Sequence, residues 1–156
     1  MTVAWTGIIN TIPAKTYISV RKERYSYDLI KKNGEFAINL TTRELAKATD
    51  FCGVRSGKDM DKFEVMKLTR QEANEIKCPI IGESPVSLEC RVTDIVELGS
   101  HDMFIADILA VDVAEKLIDA NGRLALEKAD LIAYCHGEYF SLGEKLGKFG
   151  YTVKKI

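Results

Sequence analysis

The residues best suited to chemistry in this sequence fall in one short stretch, Ser19-Val20-Arg21-Lys22-Glu23-Arg24-Tyr25-Ser26. Three cations and two serines stand where an alternating strand pattern gives way to a helical one. The N–H groups that open a helix have no intrahelical acceptor and carry the positive end of its dipole, so they attract an anion. Guanidinium forks at Arg21 and Arg24 suit phosphate oxygens, Lys22 adds a third charge, and the Ser26 hydroxyl adds a donor. The same pattern also describes a solvated charged turn with Ser26 as an ordinary N-cap.

Three other places carry useful groups. Thr2-Val3-Ala4-Trp5-Thr6-Gly7 sets small and hydroxyl residues beside the single tryptophan. Small side chains there let a flat ligand approach the backbone, while Trp5 is equally readable as core. His101, one of two histidines with His136, falls in the turn Gly99-Ser100-His101-Asp102. A histidine at a hairpin tip either faces a cleft or is a plain turn residue. The segment from Cys52 to Phe63, CGVRSGKDMDKF, mixes glycines with donors and acceptors and reads as a lid-like loop containing Lys62. Cys52 is either a reactive thiol or an inert small hydrophobe. Asp59 and Asp61 lack the ligand number and closing glutamate of a calcium loop, so no metal site is expected.

The elements that must position these groups are mostly strands. Thr2 to Ile9 is rich in β-branched residues and ends before Pro13, and Thr16 to Arg21 alternates. Tyr25 to Lys32 is helical, stopped by Gly34. Phe36 to Leu40 is a short strand. Thr41 with Glu44 forms a capping box that should open a helix running toward Phe51. Val86, Leu88, Cys90 and Val92 alternate with Ser87, Glu89, Arg91 and Thr93, which describes a half-buried strand. Met103 to Val113 returns from the His101 turn and completes a hairpin. Leu131 to Cys135 is a further strand, and the tail from Gly143 to Ile156 is basic and punctuated by glycine. About six strands and two or three short helices favour an antiparallel barrel or sandwich. No G-x-G-x-x-G joins a strand to a helix, which removes support for a Rossmann site.

Composition bounds the rest. The 156 residues suit one domain, 1–156, with a single core. With 22 Lys and Arg against 23 Asp and Glu, the net charge is -1, so no overall field draws the chain to nucleic acid or to a membrane surface. Any anion site must be local. No apolar run approaches the roughly 20 residues of a membrane span, and no leader is visible at the N-terminus. Four cysteines without a Cys-x-x-Cys pair point to reduced thiols and a cytoplasmic protein.

In order along the chain, MTVAWTG (1–7), SVRKERYSYDLI (19–30), NGEFAINL (33–40), CGVRSGKDMDKF (52–63), LGSHDMFIADI (98–108) and YFSLGEKLGKFGYTVKK (139–155) resemble the flavin reductase-like family, in its flavoredoxin branch. The resemblance implies a mainly β fold with short α-helices, the FMN-binding split β-barrel, and a homodimer with FMN near the subunit interface. It implies that Thr2, Ala4, Trp5 and Thr6 line the isoalloxazine and that Arg21, Lys22, Arg24 and Ser26 bind the phosphate. Lys62 would be the contact from the loop. His101 matches a family histidine associated with reduced nicotinamide, although Ser100 stands where many members carry aspartate. Relatives usually have an early barrel strand upstream of the segment that matches Met1. The barrel is therefore expected to lack that N-terminal strand or to be closed by its partner.

The function implied is electron transfer from NADH or NADPH through FMN to an acceptor. The alternative is a non-enzymatic FMN carrier that works with protein redox partners.

Overall fold

A computed structural model describes residues 1–153. Lys154, Lys155 and Ile156, the end of the basic tail, lie outside the described residues. The centre is a five-stranded antiparallel sheet, and the site is assembled at one end of it. Strand β1 (Thr6–Thr11) turns through a cis Ile12–Pro13 bond into β2 (Ala14–Val20). The two long strands β6 (Val86–Glu97) and β7 (Asp102–Val113) form the expected hairpin. With β3 (Glu35–Asn39) on the far edge, the sheet order is β1-β2-β7-β6-β3.

The alternation in β2 decides which face is core. Thr16, Ile18 and Val20 are buried, as are Asp102, Phe104 and Ala106 opposite them on β7. Helix α1 (Tyr25–Asn33) lays Tyr27 and Ile30 on this face, with Tyr27 edge-on to Phe104 at 5.4 Å. It stops at Gly34, whose left-handed φ of 69° and N–H bond to Ile30 close the last turn. Phe36 and Cys90 complete the cluster. Removing a wholly buried ring such as Phe104 would cost about 3–5 kcal/mol.

Several sequence expectations shift. The first strand begins at Thr6 rather than Thr2 and runs on to Thr11, its ladder with β2 opening at Thr6 opposite Ile18. The preceding residues continue without pairing, apart from a last bond from the Ser19 N–H to the Trp5 carbonyl at 3.0 Å. Gly7 lies so close to the Tyr17 ring that a Cβ would sit 3.3 Å from it. The capping box at Thr41 and Glu44 does not open a helix. Thr42 accepts the Leu45 N–H instead, and α2 (Ala46–Val54) starts later. That helix absorbs Cys52 and Gly53 from the expected loop, and α3 (Lys62–Met66) absorbs its end. Asp61 caps α3 by accepting from the N–H groups of Phe63 and Glu64.

Beyond the sheet are β4 (Arg70–Gln71) paired with β5 (Ile80–Ile81), and β8 (Ile132–Cys135) paired with β9 (Glu138–Ser141). The two-residue strands are too short to carry a pattern, and β9 falls between the expected strand Leu131–Cys135 and the tail from Gly143, where no element is expected. No helix is long and apolar enough to cross a membrane, among the described residues. The four cysteines are all free.

The polar side of β6 is also covered, which alternation alone did not reveal. Ser87 and Glu89 are as buried as Cys90: Ser87 donates to Asn39 Oδ1, and the segment from Asn74 to Ile76 closes over Glu89. Glu89 accepts the backbone N–H groups of Asn74, Glu75 and Ile76 at 2.7, 2.6 and 3.2 Å. Burial acts to raise its pKa, but these donors outweigh it and hold the carboxyl below its ordinary value. Asp112, next to it, is pushed up by burial and then by the Glu89 charge, so it keeps its proton more readily. Glu89→Gln should cost about 2–3 kcal/mol, since an amide NH2 would face donors. The measurement is urea unfolding. A depressed carboxylate contributes stability above its unfolded pKa, so the wild-type advantage should persist at neutral pH. It should vanish as pH falls below about 4, through the lowered Glu89 value.

Candidate functional site

Where β2 ends at Val20, the chain turns sharply. The Arg24 N–H bonds back to the Arg21 carbonyl at 3.1 Å, and the Tyr27 N–H bonds to the Arg24 carbonyl at 2.8 Å. Arg24 is therefore the N-cap residue of α1, and it makes no side-chain cap. Ser26 is the second helical residue, so its hydroxyl is not the N-cap. It has no protein partner among the described residues. Arg24 likewise forms no ion pair among the described residues, whereas Arg21 meets Glu23 at 3.1 Å with half its side chain exposed.

Two adjoining cavities open at this end of the sheet. The larger is about 810 Å³ and the smaller about 430 Å³. Thr2, Ala4, Arg24, Cys52 and Lys62 face both. Ser26 and Thr6 face the larger one, and Arg21, Trp5 and His101 face the smaller. Lys22 faces neither. Its ammonium lies 3.4 Å from Asp102 and 3.6 Å from Glu97. Nine of the ten expected site residues are thus brought together, and Lys22 is set apart.

The walls are fixed by ordinary backbone bonding. Thr2 Oγ1 donates to the Thr49 carbonyl of α2, which anchors the segment before β1. Thr6 Oγ1 donates to the Tyr17 carbonyl at 2.7 Å, so that hydroxyl serves the hairpin. Lys62 reaches from the start of α3 to donate to the Cys52 carbonyl at 2.7 Å. Its pKa is lowered, first by burial and then by nearby Arg24. Trp5 is 58% exposed and therefore is not core. Its ring stacks on His101 instead, with centroids 4.4 Å apart and planes tilted by 41°. Ser100 Oγ lies 3.0 Å from His101 Nδ1.

Arg55 and Ser56 also line the smaller cavity. They sit in the segment read as a lid, and their charge and hydroxyl were the signal that could have marked them individually. Tyr134 of β8 lines both cavities, and nothing in its sequence surroundings distinguished it. The smaller cavity holds four cations, Arg21, Arg24, Arg55 and Lys62, against the single acid Glu23. A chain of net charge -1 therefore concentrates positive charge at one place. Apolar walls beside such a cluster suit a ligand with a flat body and an anionic end. Among the described residues no group of three His, Cys, Asp or Glu side chains is arranged to hold a metal.

Comparison with known proteins defines the class. The Flavin reductase like domain family matches residues 1–143. The chain belongs to that family, and its fold is the split barrel. Flavoredoxin of Desulfovibrio vulgaris (Miyazaki F) superposes with a TM-score of 0.90 and 30% identity, over 97% of this chain and 82% of that one. An "Uncharacterized protein" of Archaeoglobus fulgidus is 37% identical over 111 residues, 71% of this chain and 63% of its own length. An "NADPH-flavin oxidoreductase" of Streptomyces viridifaciens is 28% identical over 127 residues, 79% of this chain and 64% of its own length. The match thus spans less than two thirds of each of these two curated relatives.

Because Trp5 is the only tryptophan, its emission reports on the mouth of the site. His101→Ala should change the ligand-free intensity by removing the stacked ring. Identical emission from the two proteins would show that the rings are apart in solution.

Proposed function

We propose that this protein binds FMN across the two cavities and uses it to pass electrons from NADH or NADPH to an acceptor. The observation that carries the reading is Arg24, a guanidinium without an acid partner among the described residues, at the N-terminus of α1 beside the free Ser26 hydroxyl. Opening N–H groups, a fork of donors and a hydroxyl are the donor set of a phosphomonoester. Arg21 and Arg24 hold the phosphate, with Ser26 supplying the hydroxyl. Thr2 and Ala4 are small enough to let the ring system approach the backbone, with Trp5 and Thr6 beside them.

When bound, the flavin supplies the hydride and single-electron chemistry that the side chains lack. The protein binds, orients and tunes charge. Lys62 is held against the Cys52 carbonyl and partly desolvated, so its charge acts over a short range at the ring end of the cleft. His101 stands at the mouth on Trp5, where a nicotinamide would enter. No acid–base dyad is required, and none is found among the residues that line the smaller cavity.

The open mouth, with Trp5 more than half exposed, favours a second reading in which the flavin exchanges electrons directly with a protein partner. We also place the protein in the cytoplasm as a homodimer. Four unpaired cysteines support the first, and exposed Ile8 and Ile12 on and beside the edge strand β1 support the second.

Titration with FMN should give a bound-flavin visible spectrum. Arg21→Ala combined with Ser26→Ala should weaken FMN binding about 10–100-fold while leaving riboflavin nearly unaffected. Equal losses for the two ligands would place the phosphate elsewhere. Loss of nicotinamide absorbance should exceed the free-flavin background, and no excess would leave the carrier reading. Light scattering should give twice the chain mass, with Ile8→Lys lowering it toward the monomer.

A further inference from the structure

Lys22 is the one cation of the anion-binding turn that faces neither cavity. Its partner Asp102 is wholly buried at the start of β7. One oxygen of Asp102 accepts the Tyr27 hydroxyl at 2.6 Å, and the other, which accepts no hydrogen bond, forms an ion pair with the Lys22 ammonium at 3.4 Å. Strand pairing sets Asp102 opposite Val20, the residue before the turn, and opposite Glu97, the second acid beside Lys22. The Leu98 N–H closes the base of the same hairpin by donating to the His101 carbonyl at 3.2 Å. His101 is its immediate neighbour in the chain. One carboxylate therefore touches the anion turn, the helix behind it and the hairpin that carries His101.

A buried carboxylate is costly unless it is paired and hydrogen-bonded, so this arrangement persists only with its partners in place. The Tyr27 hydroxyl and then Lys22 hold Asp102 below its ordinary value, against the effect of burial. The Tyr27 hydroxyl is pushed up to about 12 by donating to it. Both groups keep their protonation states through neutral pH, so the contact is a fixed clamp. Neither Asp102 nor Tyr27 reaches a cavity, so neither can touch a ligand there.

We propose that Asp102 is a positioning residue that locks the anion turn and the His101 hairpin into one geometry, with Lys22 as its strut rather than a phosphate ligand. The proposal rests on the FMN reading only for its affinity measurement. Its second measurement, the near-ultraviolet circular dichroism of Trp5 without ligand, is independent of that reading.

Asp102→Asn keeps the shape and removes the charge. It should weaken FMN binding about tenfold, the size of one misaligned charge-assisted contact, and leave riboflavin within about twofold. It should also alter the Trp5 band of the folded, ligand-free protein. Lys22→Met keeps the half-exposed stem and should change both quantities in the same direction by less. It decides the matter if Asp102→Asn does not fold. A lower urea midpoint with unchanged FMN affinity and an unchanged Trp5 band would make Asp102 merely structural and overturn the proposal. Lys22→Met losing FMN affinity with an unchanged band would make Lys22 a direct phosphate contact, and would also overturn it. Should the wild-type protein bind no FMN, the FMN reading falls. The ligand-free band then decides alone, a change supporting the clamp and no change removing it.

Discussion

The antiparallel pairing of β2 with β7 is the constraint on which the site depends. The register runs from Lys15 opposite Asp107 to Val20 opposite Asp102 and stops there. Two features leave the sheet at that point. Arg21 begins the anion turn on one strand, and His101 ends the hairpin turn on the other. A slip of one residue would send Ile18 and Val20 to the outer face and expel Thr16 with them. Burial of that face therefore fixes the positions of the cations as firmly as it fixes the core.

Local geometry then divides labour among three neighbouring cations of similar sequence appearance. Arg21 leaves the strand toward the smaller cavity, with Glu23 as a half-exposed partner. Arg24 caps α1 with its backbone alone, which leaves its side chain available to both cavities. Lys22 turns the other way, toward two acids at the end of the β6–β7 hairpin. A compact ammonium suits a buried carboxylate that needs only a nearby charge, while guanidinium forks suit oxygens presented in pairs.

Much of this was legible in the sequence where one physical signal dominated. The alternation of β2, the return of β7 from the hairpin turn at His101 and the helix ended by Gly34 each follow from a local rule that packing did not oppose. The anion turn was legible as a possibility, and its order among the other family blocks gave it meaning. What was not legible depended on distant segments. Glu89 looks like the solvent side of a half-buried strand until the chain around Asn74 folds over it. Trp5 looks like core until the ladder ends at Thr6 and leaves it beside His101. Thr41 and Glu44 satisfy a capping pattern, yet Thr42 is drawn into a bridge with Leu131 and the helix opens later.

These misses share a cause that bears on the site itself. Each concerns a polar or amphipathic residue whose partner lies far away in the chain, and sequence patterns rank such residues by type alone. Lys22 shows the same dependence on a distant partner. By type and spacing it stands with Arg21 and Arg24, yet its ammonium faces the buried Asp102, 80 residues later in the chain. The dense positive charge of the smaller cavity is thus built from cations that carry no buried acid nearby. The cation that has one, Lys22, faces neither cavity. Acids and bases balance over the whole chain while the cations gather at one place, so a modest net charge is compatible with a strongly positive cleft.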